Sequence, residues 1–409
     1  MADVNVLEVL LYGNPIGTLT HVAGDRSLFA FNESYIADEQ RPILSLGFKD
    51  ALGGLITDFR PTQARVLPFF SNLLPEGHMR TYLAERAGVN PVREFFLLWA
   101  LGMDLAGAVT IRPSGDDTWP PVGDSISTDH DDKHRDTALR FSLAGMQLKF
   151  SAVTEANGGL TIPAKGIGGS WIIKLPSRQY AGVPENEYSM LTLARLMGMN
   201  VPALALVELN DIENLPKEVE DVKGRALVIE RFDRLSDGTR VHIEDFAQVF
   251  RVYPDKKYEK ASMRNIAAVI AAEGEETDLI EFIRRLTFNV LIGNADMHLK
   301  NWSLIYPNRR RAALAPAYDF VSTIPYIKDT HSALNVSRTK RFDAFTSDEL
   351  IHLAAKAALP EKMVLDTARE TVALFHQHWA NEKKNLPLES KIVSAIDAHL
   401  QNVPLAQGQ

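Results

Sequence analysis

A single polar stretch, Gly293-Asn294-Ala295-Asp296-Met297-His298-Leu299-Lys300-Asn301, follows an apolar run of helical character at residues 279–292. After it come a second apolar run at 302–306, the turn pair Pro307-Asn308, a third run at 312–317, and then Tyr318-Asp319-Phe320. A carboxylate, an asparagine five positions on and an aspartate just past a hairpin form the order that phosphoryl transfer needs. Asp296 would accept the proton of a hydroxyl nucleophile, while Asn301 and Asp319 would hold Mg²⁺ on the phosphates of ATP. Asn, Asp and His also cap helices and fill turns, so this stretch alone admits a purely structural reading.

Other segments bear on that choice. Trp171-Ile172-Ile173-Lys174-Leu175-Pro176 places a lysine inside an apolar strand, where a charge needs a partner or a ligand. In a kinase such a lysine holds the α- and β-phosphates and pairs with a helix glutamate. Glu187 is the favoured partner and Glu185 its competitor, with a solvent-facing edge-strand lysine as the plain alternative. Upstream, Phe141-Ser142-Leu143-Ala144-Gly145-Met146-Gln147-Leu148-Lys149 stands where a nucleotide-covering loop belongs. Its one glycine makes it neither a GxGxxG nor a Walker loop, and by itself it reads as an ordinary turn. Val228-Ile229-Glu230-Arg231-Phe232-Asp233-Arg234 can offer backbone groups to an adenine edge, or serve only as a charged surface connector. Covering loop, strand lysine, helix glutamate, connector, aspartate with its asparagine, and metal aspartate follow one another in the order of a bilobal kinase. That agreement outweighs any one of the signals.

To position these groups the chain needs a small sheet, a helix beside it and a helical body. Residues 4–11 and 16–20 flank Gly13-Asn14-Pro15 and predict a hairpin. Helical spacing of apolar residues predicts helices in 69–74, 79–87 and 92–101. From Pro113 to about Asp136 the residues are mainly Pro, Gly, Ser and Asp, which cannot bury enough apolar area to offset the entropy of ordering. Strands are predicted at 139–142, 147–153, 170–175, 203–209 and 225–229, and a helix from Pro184 to a stop at Gly198. Beyond Asp245 helices dominate. The pattern is α+β and lacks the regular alternation of a doubly wound fold. It divides into an amino-terminal subdomain at 1–112, a linker at 113–138, an ATP-binding lobe at 139–230 and a helical lobe at 231–409.

At 409 residues the chain can bury two or three cores, and 45% hydrophobic with 23% charged residues fits a globular protein. The absence of cysteine excludes disulfides and thiolate metal sites and suits a reducing cytoplasm. The opening MADVNVLEVLLYG lacks the basic start of a signal peptide, and no apolar run reaches the roughly 18 to 20 residues that span a bilayer. A soluble cytoplasmic protein with no membrane partner is expected. The net charge of -8 gives no global pull toward nucleic acid. Lys256, Lys257 and Lys260, and the run Arg309-Arg310-Arg311, are candidate DNA contacts, with a solvated loop or hairpin turn as the plainer reading.

In order along the chain, FSLAGMQLK, WIIKLP, the Glu185-Asn186-Glu187 triplet, ERFDR, EDFAQ, GNADMHLKN and AYDF resemble motifs of the HipA family. These are bacterial serine/threonine protein kinases, the toxins of HipA–HipB toxin–antitoxin systems. Phe70-Ser71-Asn72-Leu73-Leu74-Pro75-Glu76-Gly77 is similar to the family's amino-terminal region, so the resemblance spans nearly the whole chain. It implies a bilobal protein-kinase-like fold. The small β-rich lobe would carry an extra, antitoxin-contacting amino-terminal subdomain, and the carboxy-terminal lobe would be mainly helical.

The same resemblance implies Asp296 as catalytic base, Asn301 and Asp319 as Mg²⁺ ligands, and Lys174 as the phosphate-binding lysine. Ser142 matches the serine that these kinases autophosphorylate, and Leu143, Ala144, Gly145, Met146, Gln147 and Lys149 belong to the loop over the ATP phosphates. In the family phosphorylation ejects that loop, as repulsion between a dianion and the ATP phosphates would require. Glu230 and Phe232 would meet adenine through backbone groups, and Asp233 and His298 would approach the ribose. Family targets include aminoacyl-tRNA synthetases, especially the glutamyl enzyme. A HipB-like helix-turn-helix antitoxin binds the kinase and carries it onto operator DNA. Met146, Leu148 and Phe250-Arg251 depart from the residues usual in the family. Two other readings share parts of this site: a small-molecule or lipid kinase, and a nucleotide-sensing corepressor without activity. A complete charge-handling set at Lys174, Asp296, Asn301 and Asp319 speaks against the second.

Overall fold

Alternating apolar residues build the first sheet. In β1 (Asn5–Leu11) the side chains of Leu7, Val9 and Leu11 are buried, and β1 pairs with β2 (Asn14–Val22) across a two-residue turn at Tyr12-Gly13. Both turn residues have positive φ, 53° and 79°, the geometry whose twist matches that of the flanking strands. With β3 (Arg26–Phe31), β4 (Thr62–Gln63) and β5 (Val109–Pro113) the order is β4-β3-β2-β1-β5, antiparallel throughout. The helices α1 (Glu33–Ala37), α2 (Pro68–Ser71), α3 (Gly77–Ala87) and α4 (Glu94–Leu101) join the same apolar cluster, in which Phe29 packs on Phe48 and Phe70. The computed structural model describes residues 5–115, 149–154, 160–161, 169–177, 179–215, 222–328 and 330–408. The expected strand at 139–142, the linker beyond residue 115, Ser142 and the loop residues Leu143, Ala144, Gly145, Met146 and Gln147 lie outside them.

The second sheet runs β10-β7-β6-β8-β11-β9, formed by β6 (Lys149–Thr154), β7 (Leu160–Thr161), β8 (Trp171–Lys174), β9 (Leu204–Glu208), β10 (Ile212–Glu213) and β11 (Arg225–Glu230). Its pairs are antiparallel except β10 with β7. The period-2 geometry of a strand sends successive side chains to opposite faces. Ala226 and Val228 accordingly enter the amino-terminal cluster, whereas Leu227 and Ile229 enter a second cluster with Met190, Leu191 and Ala194 of α5 (Val183–Leu196). Because Leu227 is paired with Lys174 and Val228 with Ile173, Lys174 lies on the α5 face. As the sequence predicts, α5 has Pro184 in its first turn and ends before Gly198, whose φ is 82°.

From Arg231 a connector leads into β12 (His242–Asp245), which pairs with β13 (Ser303–Tyr306), itself paired with β14 (Ala313–Leu314). Helices make up most of the remainder: α6 (Phe246–Val249), α7 (Met263–Glu273), α8 (Glu276–Leu291), α9 (Ser347–Ala357), α10 (Glu361–Glu382) and α11 (Ser390–Leu400). In α8 the buried Leu279, Phe282, Ile283, Leu286 and Val290 recur at three- and four-residue intervals and face the second cluster. The result is an α+β, bilobal, kinase-like architecture.

The amino-terminal unit meets the helical lobe along a hydrogen-bonded seam. The ring Nε2 of His242 lies 2.7 Å from Leu44 O, Asn72 Nδ2 donates to Val252 O at 2.8 Å, and Gln248 Nε2 donates to Phe69 O at 3.0 Å. Glu244 accepts from the Leu46 amide at 2.9 Å and from the hydroxyls of Ser45 and Tyr306.

Candidate active site

Between the second sheet and the helical lobe lies a cleft of about 990 Å³, and Lys174, Glu187, Asp296, Asn301 and Asp319 all line it. The strand register puts Lys174 against α5, where its Nζ donates to Glu187 Oε1 at 2.5 Å and also pairs with Asp319 Oδ1. Burial alone would pull the Lys174 ammonium down, but the Asp319 and Glu187 carboxylates outweigh it and hold its pKa above the usual lysine value. Glu185, the competing partner, reaches Arg225 at 3.2 Å instead. Between them, the buried Asn186 accepts from Ser322 N at 3.1 Å and donates to Ser322 O at 2.8 Å. That two-sided bond ties the helix carrying Glu187 to the segment carrying Asp319.

The polar stretch after α8 is held by its own side chains. Gly293 turns the chain at φ 66°, and a Cβ there would lie 2.6 Å from Ile324, so both the backbone and the space call for glycine. Asn294 accepts from Asp296 N at 3.0 Å and donates to Asn289 Oδ1 at 2.7 Å and to Asp319 O at 3.3 Å. Ala295 N donates to Thr323 Oγ1 at 2.8 Å, and Asn301 Nδ2 donates to Asp296 O at 3.0 Å. These bonds bring Asp296, Asn301 and Asp319 to one wall. Asp319 has φ 56°, a left-handed conformation that aspartate adopts more readily than most residues with a Cβ.

Asp296 stays open to the cleft, and its carboxylate accepts a hydrogen bond from Tyr258 Oη at 2.8 Å. The shielding walls of the cleft push the Asp296 carboxyl above its ordinary range, against the opposing pull of the Tyr258 hydroxyl and of Lys257. The Asn301 amide nitrogen is used within the loop, which leaves its oxygen as the acceptor end, and the Asp319 side chain is 32% exposed. These two hard oxygen donors fit a magnesium ion by chemistry. Magnesium is usually bound through one or two protein side chains with phosphate and water completing its shell, so two protein oxygens would suffice.

The other expected residues have the following places in the fold. Glu230 N–H donates to Ala203 O at 2.8 Å and is not free for an adenine edge. Phe232 lines the cleft with its ring 5.9 Å from that of Tyr318. Asp233, expected at the ribose, lines the cleft, and its oxygens accept from Arg231, Arg234 and the Gly107 amide at 2.8 to 2.9 Å. His298 lines the cleft beneath Tyr258, and burial pulls its imidazole down to about 3, so it is neutral. Lys149 opens β6 directly opposite Lys174. Lys257 is buried rather than solvated, while Arg309 stacks on the Tyr12 ring at 4.6 Å and Arg311 meets Glu275 at 3.1 Å. Tyr258, Asn294, Lys300 and Glu76 were not among the expected site residues, although all four line the cleft. For Asn294 the signal was its place directly before Ala295-Asp296; for Glu76 local sequence carried none.

A sheet with a glutamate-paired strand lysine, facing across a cleft a helical lobe that presents an aspartate loop and a second aspartate, defines the kinase-like class. The HipA N-terminal domain matches residues 7–112, and the HipA-like C-terminal domain matches residues 141–379. A Sinorhizobium fredii (strain NBRC 101917 / NGR234) protein named "Putative kinase Y4dM" is 59% identical over 408 residues, 99% of this chain and 98% of that one. The "Serine/threonine-protein kinase toxin HipA" of Shewanella oneidensis is 28% identical over 383 residues, covering 85% of this chain and 84% of its own. The solved complex of Shewanella oneidensis HipA, HipB and operator DNA has a chain that matches with a TM-score of 0.72 at 22% identity, over 98% of this chain and 99% of that one. The chain belongs to the HipA family. No helix among the described residues is long and apolar enough to cross a membrane.

Proposed function

We propose that this chain is an ATP-dependent serine/threonine protein kinase. The observation that carries the reading is the Lys174 ammonium, fixed by Glu187 and contacting Asp319, in one cleft with Asp296 and Asn301. ATP with Mg²⁺ supplies the phosphoryl group when bound. Lys174 binds phosphate oxygens, Asn301 and Asp319 present oxygens to the ion, and Asp296 takes the proton from the acceptor hydroxyl. A carboxyl whose proton affinity is raised by its surroundings suits that last task. The boundaries 1–112, 113–138, 139–230 and 231–409 remain our domain assignment.

The reading extends to a cytoplasmic growth-arresting toxin. Its substrate would be a translation-related protein, an aminoacyl-tRNA synthetase such as the glutamyl enzyme. Ser142 would be the autophosphorylated residue, and a HipB-like antitoxin would neutralise the kinase and link it to operator DNA. Support comes from family membership and from the named HipA relative and HipA–HipB–DNA structure. Purified chain with γ-labelled ATP and a cell lysate should label discrete proteins that mass spectrometry identifies. Asp296→Ala should lower the labelling by about 10²- to 10⁴-fold, the range for loss of a positioned acid or base. Undiminished labelling by that variant would remove Asp296 from its role.

A further inference from the structure

Glu76 sits at the amino end of α3, in the amino-terminal unit, yet its carboxylate points into the helical lobe. One oxygen lies 2.8 Å from Lys257 Nζ and the other 2.6 Å from Lys300 Nζ. All three side chains are largely buried, at 12%, 5% and 7% exposure, so the pairing is shielded from solvent. Lys300 Nζ donates a further bond to Asn72 O at 3.1 Å, again in the amino-terminal unit. The two lysines are not incidental. Lys300 immediately precedes Asn301, and Lys257 immediately precedes Tyr258, whose hydroxyl donates to Asp296 at 2.8 Å. The backbone of Lys257 also accepts from Leu299 N at 3.4 Å, joining the two segments directly.

We infer that Glu76 and Tyr258 are positioning residues, through which the amino-terminal unit fixes the loop that carries Asp296 and Asn301. Tyr258 aims the Asp296 carboxylate, and Glu76 bridges and anchors the two lysines next to Tyr258 and Asn301. A buried carboxylate between two ammonium groups is sensitive to loss of either side, because removing one partner strands charge in a poorly solvated place. The amino-terminal unit is on this view a working part of the site. The inference rests on the proposed role of Asp296.

Two variants test it beside Asp296→Asn. Tyr258→Phe removes one hydroxyl from a side chain 37% exposed and leaves the core untouched. It should lower kcat about 10-fold, the scale of one hydrogen bond to a charged group, with KM for ATP changed by less than roughly threefold. Glu76→Gln should lower kcat at least as much and speed amide hydrogen exchange across residues 293–302, with Glu76→Asp restoring part of both. Arg65→Gln is the control, since Arg65 meets Asp255 across the same seam as an exposed pair and should change neither reading. Unchanged kcat in Tyr258→Phe, or unchanged kcat and loop exchange in Glu76→Gln, overturns the inference while Asp296→Asn is inactive. An active Asp296→Asn brings down the assignment of the base itself, and loop exchange in Glu76→Gln then still decides whether the anchor exists.

Discussion

At Arg231 and Arg234 the chain buries two guanidiniums against Asp104 and Asp233, and all four side chains are at most 6% exposed. At Lys174 it buries one ammonium against Glu187, but the third member, Asp319, is 32% exposed and faces the cleft. The first network is almost wholly buried, with only Arg231 and Asp233 edging the cleft. Burial pushes the Asp233 carboxyl up, yet the Arg231 and Arg234 guanidiniums hold it down to about 2, and its oxygens have donors within the fold. The second network ends at a carboxylate that has room for something else. Charge burial by itself therefore does not mark a chemical site. What marks it is a member of the network that keeps one side on open space.

The sharpest way to break this comparison is Asp319→Asn. It leaves the Lys174–Glu187 pair intact, so melting temperature should move by less than about 2 °C, while phosphoryl transfer should fall by about 10²-fold or more. A variant that melts early but stays active would put Asp319 in the structural class. Asp104→Asn is the converse. It leaves two buried guanidiniums facing a single carboxylate and should cost about 3 kcal/mol or more of unfolding free energy in denaturant titration; a cost under about 0.5 kcal/mol would mean the clamp is dispensable.

A third kind of buried charge sharpens the contrast, because its hydrogen-bond donors among the described residues are all uncharged. Burial pushes the Glu244 carboxyl up to about 7, although Ser45, Tyr306 and the Leu46 amide all donate to it. A folded-state pKa above the unfolded value means that the native protein holds the proton more tightly. Stability should then decline as pH rises from about 4.5 to about 7, by up to the order of 3 kcal/mol, and level off above that. Glu244→Gln keeps an acceptor for Leu46 and Tyr306 and cannot ionise. Urea unfolding at pH 5 and pH 8 should show a smaller pH difference for it than for the parent chain. Equal differences would place the titration elsewhere, with Asp245, also pushed up by burial to about 6, the first residue to replace next.

How much of this was legible follows from sequence distance. Lys174 and its helix glutamate are 13 residues apart, and apolar alternation in the strand plus helical phase in α5 were enough to bring them together. The sequence favours Glu187 over Glu185, and the rotation of α5 that sets the pairing is held by the bonds of Asn186 to Ser322. The Tyr306-to-Ala313 hairpin was legible from Pro307-Asn308, and Asn308 Oδ1 accepts from Arg310 N at 3.1 Å and Arg311 N at 2.7 Å as turn asparagines do. The strand β5 was not recognised, because its partner β1 lies far upstream, and β3 was missed although it pairs with the neighbouring β2 across a short turn. Lys257 reads as solvated in the run Asp255-Lys256-Lys257-Tyr258, since its partner Glu76 lies 181 positions upstream. The Gly107 amide that donates to Asp233 lies 126 positions upstream and was equally out of reach of local reading.

The seam of hydrogen bonds along β12 bears on how such a chain can change over time. His242 and Glu244 are buried in one half and answered by Leu44, Ser45 and Leu46 in the other, and Gly107 leaves no space for a side chain beside Ile243. A half borrowed from a distant relative would bring mismatched donors and acceptors to that boundary, each left dry and unpaired. Although the two halves match separate family domains, recombination between them is penalised unless the boundary residues travel together.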